Sequence, residues 1–178
     1  MTPHDIESFA TSRGFSAPTL EKYGIRVEDG VVVIPLLGRN GHVWYEREHR
    51  PGGKPKYLSP KGVEPHLYNP LGLGPHSTEV WLAEGEFDTI ALIEAGAPAC
   101  GVLGANSFYS PWVHLFSGAR VVLAFDPDDA GKQAADKIAG QFGQMTTVDV
   151  FDIPPQYGDI NDWWKADPSG LRRAVLEF

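Results

Sequence analysis

The sequence predicts an α/β protein: a four-stranded parallel sheet flanked by helices, preceded by a small mixed α+β lobe of basic character. Three observations predict it. From Glu79 onward, short β-rich runs alternate with helical patterns. Acidic clusters close two of those runs, Glu84-Gly85 and Asp126-Pro-Asp128-Asp-Ala-Gly131, and the ligand crevice of a parallel sheet lies outside the carboxyl ends of its strands. The formal charge of −8 is also unevenly divided: residues 1–78 hold nine Lys/Arg against eight Asp/Glu (+1), and residues 79–178 hold six against fifteen (−9).

The lobe is expected over residues 1–75. Asp5 to Arg13 reads as a short helix with Ile6, Phe9 and Ala10 on one face and Gly14 as its stop. Ala17 to Tyr23 reads as a second, with Pro18 near its first position and Gly24 past its end. Val31–Leu37 and His42–Arg47 are strands joined by the turn Gly38-Arg-Asn-Gly41, whose Asn-Gly favours a hairpin. A loop rich in Pro, Gly and Lys follows from Pro51 to Pro75, broken by a short strand at Lys56-Tyr57-Leu58, and Pro70 to Ser77 connects the two parts.

The second part, 79–178, is expected to run strand 80–84, helix 87–95, strand 99–103, a short helix near 111–117, strand 120–125, helix 130–142 and strand 147–152. A polar loop and a last helix from about Ser169 complete it. Four strands alternating with helices argue for a parallel sheet built of crossovers.

No apolar run approaches the roughly 20 residues needed to span a bilayer. The start, Met1-Thr-Pro-His-Asp, lacks the basic-then-apolar pattern of a signal peptide. Cys100 is the single cysteine, which rules out an intramolecular disulfide and a cysteine-rich zinc ribbon. It reads as an inert buried thiol, and a reducing cytoplasm fits.

The carboxylates carry the chemistry. If the strands before Glu84 and Asp126 are neighbours, Glu84, Asp126 and Asp128 converge. They would repel one another unless a cation sat between them, and hard oxygen ligands suit Mg²⁺ or Mn²⁺. Alternate residues of an extended segment point the same way, so Asp126 and Asp128 can share an ion; Asp129 is then the expected cap of the following helix. Asp88, about one turn past Glu84, either reaches the same crevice or caps its helix. Gly158-Asp159-Ile-Asn-Asp162 offers ligands for a second metal. Within 39–61, six cations (Arg39, Arg47, Arg50, Lys54, Lys56, Lys61) face two acids, Glu46 and Glu48, a local excess suited to polyanion phosphates. Trp44, Tyr45 and Tyr57 interleave with these charges and can stack on bases, although hairpin or core packing is the expected role of Trp44. His42 and His49 lack ligand spacing and read as surface residues, and Trp163-Trp164 reads as an anchor of the last helix on the sheet.

Glu84-Gly…Asp88, Asp126-x-Asp128-x-Ala-Gly131 and Asp159-Ile-Asn-Asp162 together resemble the Toprim domain of bacterial-type primases, type IA and II topoisomerases and some nucleases. The wording Glu-Gly-x-x-Asp-x-x-Ala-Leu and Phe-Asp-x-Asp-x-Ala-Gly is similar to the primase branch. Arg13-Gly14…Leu20-Glu-Lys-Tyr-Gly24-Ile, Val33-Ile-Pro-Leu36 and Pro55-Lys56-Tyr57-Leu58-Ser59 resemble the catalytic core preceding Toprim in those enzymes. His66-Leu-Tyr-Asn69 lacks the family's lysine before Leu-Tyr. The resemblance implies the catalytic core of a DnaG-type primase, of the compact or split kind found in a phage or mobile element. It would make RNA primers on a single-stranded DNA template from ribonucleoside triphosphates with two Mg²⁺ or Mn²⁺. It implies Glu84, Asp88, Asp126 and Asp128 as catalytic residues and Glu84, Asp126, Asp128, Asp159 and Asp162 as metal ligands. Arg47, Arg50, Lys54, Lys56 and Tyr57 would hold template or nucleotide. A replicative helicase or a separate zinc-binding subunit is the implied partner, with no membrane involved. A metal-dependent Toprim nuclease and a non-catalytic module that recruits replication partners are the alternatives. A topoisomerase would need a tyrosine-bearing cleavage domain that does not fit in 178 residues.

Overall fold

The computed structural model describes residues 3–70, 73, 76–144 and 146–178. Half of the expected connection at Pro70–Ser77 therefore lies outside the described residues. The chain forms two compact units, Met1–Glu64 and Pro65–Phe178. Among the described residues no helix is long and apolar enough to cross a membrane.

The first unit opens with α1 (Ile6–Ser12) and α2 (Ala17–Lys22). Asp5 caps α1 by accepting from Ser8 N–H at 2.8 Å, and Ser16 caps α2 by accepting from Thr19 N–H at 3.2 Å. Phe9, Ala10 and Leu20 turn inward from them. An antiparallel sheet follows in the order β1 (Arg26–Glu28), β2 (Val31–Leu37), β3 (Val43–His49), β4 (Tyr57–Leu58). Its centre is β2, buried from Val32 to Leu36. Pro35 sits in this central strand because β1 pairs only as far as Val33, so no ladder bond needs the missing N–H on that side. β1 was not expected: three residues with two charges carry no alternation to read. Trp44 packs on the hairpin, one of the roles expected of it. It is 48% exposed, and its indole lies over the hairpin turn, with Nε1 2.7 Å from where a Cβ on Gly38 would stand.

The second unit is a parallel sheet in the order β6 (Ala99–Gly101), β5 (Glu79–Ala83), β7 (Arg120–Ala124), β8 (Val148–Val150). The two central strands are buried from Val80 to Ala83 and from Val121 to Ala124, as continuous apolar runs covered on both faces must be. On one face Val80, Leu82, Val121 and Leu123 join a core with Phe116 of the 3-10 helix Ser110–Phe116 and with Ala134, Ile138 and Phe142 of α4 (Asp129–Phe142). On the other, α3 (Glu86–Ala95), α5 (Ile160–Ala166) and α6 (Pro168–Glu177) pack together. There Trp81 meets Phe151 and Phe178 edge-on, with centroids 4.8 and 5.5 Å apart.

Two differences from expectation bear on function. The segment after β6 leaves the sheet early, although Val102 and Gly104 still donate to the carbonyls of Ala83 and Glu84 at 2.9 and 3.0 Å. The expected polar loop after Pro155 contains α5, which buries Ile160, Asn161, Trp163 and Trp164. Trp163 stacks on Phe151 and Tyr157, and Arg172 of α6 lies over Trp164 at 4.7 Å, so the tryptophan pair does anchor the C-terminal helices.

Candidate active site

Strands β5 and β7 are neighbours in register, Ala83 opposite Ala124, so Glu84 and Asp126 leave the sheet side by side. Backbone N–H groups of Ala105 and Asp126 bond the Glu84 carboxylate. Its Oε2 is nevertheless buried with no hydrogen-bond partner. Burial raises the Glu84 pKa, the two N–H groups oppose that, and the charges of Asp128 and Asp159 raise it further. Asp126 is pushed up to about 7, first by burial and then by Glu84, Asp159, Asp128 and Asp162. Glu84, Asp126, Asp128, Asp159 and Asp162 thus act on one locality, and among the described residues no Lys or Arg pairs with Glu84 or Asp126.

The helix starts hold these acids in place. Asp128 caps α4, its Oδ1 accepting from Gly131 N–H at 2.8 Å. The expected cap was Asp129, which is instead the first helical residue: the extended backbone of Asp128 (φ −77°, ψ 174°) lets its own side chain fold onto the turn. Asp159 caps α5 by accepting from Asp162 N–H at 2.5 Å. Asp88 turns toward α5, its Oδ1 accepting from Asn161 N–H at 2.9 Å, so it braces the third acidic cluster against the start of α3. Gly131 permits the close approach of helix and strand end, since a Cβ there would stand 2.3 Å from the Asp126 carbonyl oxygen.

Among the described residues no three His, Cys, Asp or Glu side chains already form a metal cage. The donor set still suits Mg²⁺ or Mn²⁺. Mg²⁺ keeps several waters and takes one or two carboxylates plus substrate phosphates, not an all-protein cage. The partnerless Glu84 Oε2 and the acids around Asp126 are oxygen donors of the kind such a site needs. Glu84, Asp126 and Asp128 are the residues that would hold an ion, with Asp159 and Asp162 as the further acids of the same locality.

The first unit carries its own charge cluster. His49, expected at the surface, is only 1% exposed: as the last residue of β3 it points inward between Phe9 and Tyr57, with centroids 5.7 and 4.7 Å away. Arg13 Nη2 donates to its Nε2 at 3.3 Å, so the imidazole is neutral with its proton on Nδ1. Burial, then the charges of Arg13, Lys56 and Arg47, depress its pKa to about 3. Arg47 lies over the Tyr57 ring at 4.7 Å and Lys56 at 5.7 Å. Three of the residues expected to hold nucleic acid, Arg47, Lys56 and Tyr57, are therefore together. Arg50 is tied to Glu48 at 2.5 Å, and Lys54 is exposed on the following loop. Sequence reasoning missed Arg13 as a member of this cluster. The one available signal was Arg13-Gly14 in the primase-like segment; nothing in its spacing ties it to residues 34 and 43 positions later.

The Toprim-like family matches residues 81–164, a span that contains all of these acids. The Gene 57 protein of Mycobacterium phage D29 is 38% identical over 138 residues, 74% of this chain and 88% of that protein. The primase fragment of the bacteriophage T7 primase-helicase protein is similar with a TM-score of 0.76 at 22% identity, covering 94% of this chain and 71% of that one. The RNA polymerase domain of Mycobacterium tuberculosis primase DnaG gives a TM-score of 0.71 at 17% identity, covering 94% and 74%. The fold is primase-like across both units.

Proposed function

The chain belongs to the Toprim-like family, and from that membership we propose that it is a DNA primase catalytic core. It makes short RNA primers on single-stranded DNA by two-metal nucleotidyl transfer, in the replication of a phage or mobile element. The observation that carries this reading is the convergence of five carboxylates where Glu84 and Asp126 leave the sheet.

When bound there, divalent cations lower the pKa of the attacking hydroxyl and neutralise charge on the triphosphate. Asp126 and Asp128 are the primary ligands, with Asp159 and Asp162 assisting. Glu84 ends the buried strand with a raised pKa and an unused lone pair on Oε2. It takes the proton from the primer 3′-hydroxyl as the new O–P bond forms and pyrophosphate leaves. Asp88 is a positioning residue through Asn161. Arg13, Arg47 and Lys56, gathered about the neutral His49, hold phosphates of template or incoming nucleotide. Sequence is read by base pairing with the template. A replicative helicase or a zinc-binding subunit is its partner in choosing start sites.

The test is primer synthesis on single-stranded DNA with labelled ribonucleotides and Mg²⁺ or Mn²⁺, comparing the wild type with Asp126→Ala. Short template-dependent products that vanish in the variant are expected. Metal-dependent degradation of the template without primers would replace this reading with a nuclease. Silence in both assays, with a helicase added, would leave a recruiting module.

A further inference from the structure

Beside Asp126 the second unit holds a pocket of about 300 Å³. Phe125 and Pro127 line one side, Ala135 of α4 another, and Phe151, Ile153 and Pro155 of the segment after β8 the third. Its walls are mostly apolar. Lys132 and Asp152, both exposed, stand at it with one donor and one acceptor group. The mechanism above uses none of these residues except Asp126.

Three features define an occupant. The volume is at the small end of ligand pockets, enough for one compact ring system and too small for a peptide segment. The apolar walls favour a flat ring whose faces are poorly hydrated, and the Lys132–Asp152 pair suits a ring edge with both acceptors and donors. The pocket also shares Asp126 with the acidic site, so a ligand held there by phosphates can place its other end in the pocket.

We propose that this pocket seats the base of the nucleotide whose phosphates lie at Asp126 and Asp128. The proposal rests on the nucleotide-binding reading of the acidic site and adds to it where the base goes. The base then contributes affinity of its own, through burial against Phe125, Ile153 and Pro155, before any template pairs with it.

The experiment is calorimetric binding to the full chain in Mn²⁺, comparing ATP with inorganic tripolyphosphate, which carries the same charge type and no base. The wild type is expected to bind ATP roughly tenfold or more tightly than tripolyphosphate, as expected for burying one base. Val150→Trp covers the pocket from the edge strand at a position that is 51% exposed and so takes a larger side chain without displacing the core. Ala135→Phe fills the pocket from the helix side. Each is expected to erase the ATP advantage while leaving tripolyphosphate binding within about twofold. Equal binding of the two probes by the wild type, or an advantage that survives in both variants, overturns the pocket assignment and leaves the acidic site standing. Failure of the wild type to bind either probe overturns both.

Discussion

The two ends of the parallel sheet treat charge in opposite ways. At the amino end Arg120 lies between two acids, its Nη1 2.7 Å from Glu79 and its Nε 2.7 Å from Asp149, so one guanidinium ties β7 to both neighbouring strands. At the carboxyl end Glu84 and Asp126 are half-buried beside further acids: burial raises both pKa values, Asp128 and Asp159 raise that of Glu84 further, and Glu84 raises that of Asp126. Glu79 and Glu84 are five residues apart in the sequence, of the same residue type, and bracket the same strand. Only the end each occupies differs. Paired charge holds the sheet together; gathered like charge opposes the fold and is useful only to something that binds there.

The comparison breaks most sharply if acids at the carboxyl end prove dispensable. Asp126→Ala and Asp128→Ala are each expected to lower primer synthesis by roughly 10²-fold or more, a magnitude typical of disturbing a metal site, as read in the labelled-nucleotide assay. Next comes the packing that aims Asp126. Gly131→Ala drives a methyl into the Asp126 carbonyl and is expected to cost about 1–3 kcal/mol in urea unfolding. Gly140→Ala in the same helix meets nothing within 4 Å and is expected to stabilise by about 0.5–1 kcal/mol.

The pH dependence sharpens the comparison further. Asp126 titrates near 7 in the folded chain against 3.8 ordinarily. An acid whose folded pKa is raised gives stability that is fully present below the unfolded value and lost as pH rises through the folded one. Metal-free protein is therefore expected to lose stability between about pH 4 and 7, and Asp126→Asn to flatten that slope in thermal melts. Mn²⁺ affinity should climb over the same window and level off above about 7, because binding displaces the proton. The smallest effect belongs to the paired end. Arg120→Ala is expected to cost only about 0.5–1 kcal/mol, since the pair is partly exposed and screened, with primer synthesis unchanged.

Much of this was legible in the sequence because both sheets announce themselves through different periods. The runs Val80–Ala83 and Val121–Phe125 are apolar throughout, which fits a strand covered on both faces, and the acids that follow them mark the open end. What stayed hidden was set by tertiary neighbours. Helix α5 was read as loop because Gly158-Asp-Ile-Asn-Asp is good turn chemistry; yet Asp159 with an acid three residues on is also a helix start, and only the burial of Ile160, Trp163 and Trp164 decides between them. His49 reads as a surface residue because it lacks ligand spacing and lies past the strand the sequence predicts; its inward position depends on α1 closing over the last residue of β3. Arg13 and Lys56 flank that histidine from segments far apart in the chain, a juxtaposition no local pattern encodes. Asp128 took the cap expected of Asp129 through one residue's difference in where the backbone turns.

The Asp88–Asn161 bond has a spectroscopic use. It joins a side chain to a main-chain amide 73 residues further along the chain, and Asn161 is 2% exposed. The Asn161 amide proton is therefore a resonance sensitive to whether the start of α5, with Asp159 and Asp162, is docked beside α3. Its exchange with solvent deuterium should slow when Mg²⁺ or Mn²⁺ draws that segment in, and quicken in Asp88→Ala, giving a residue-resolved clock for the assembly of the acidic edge.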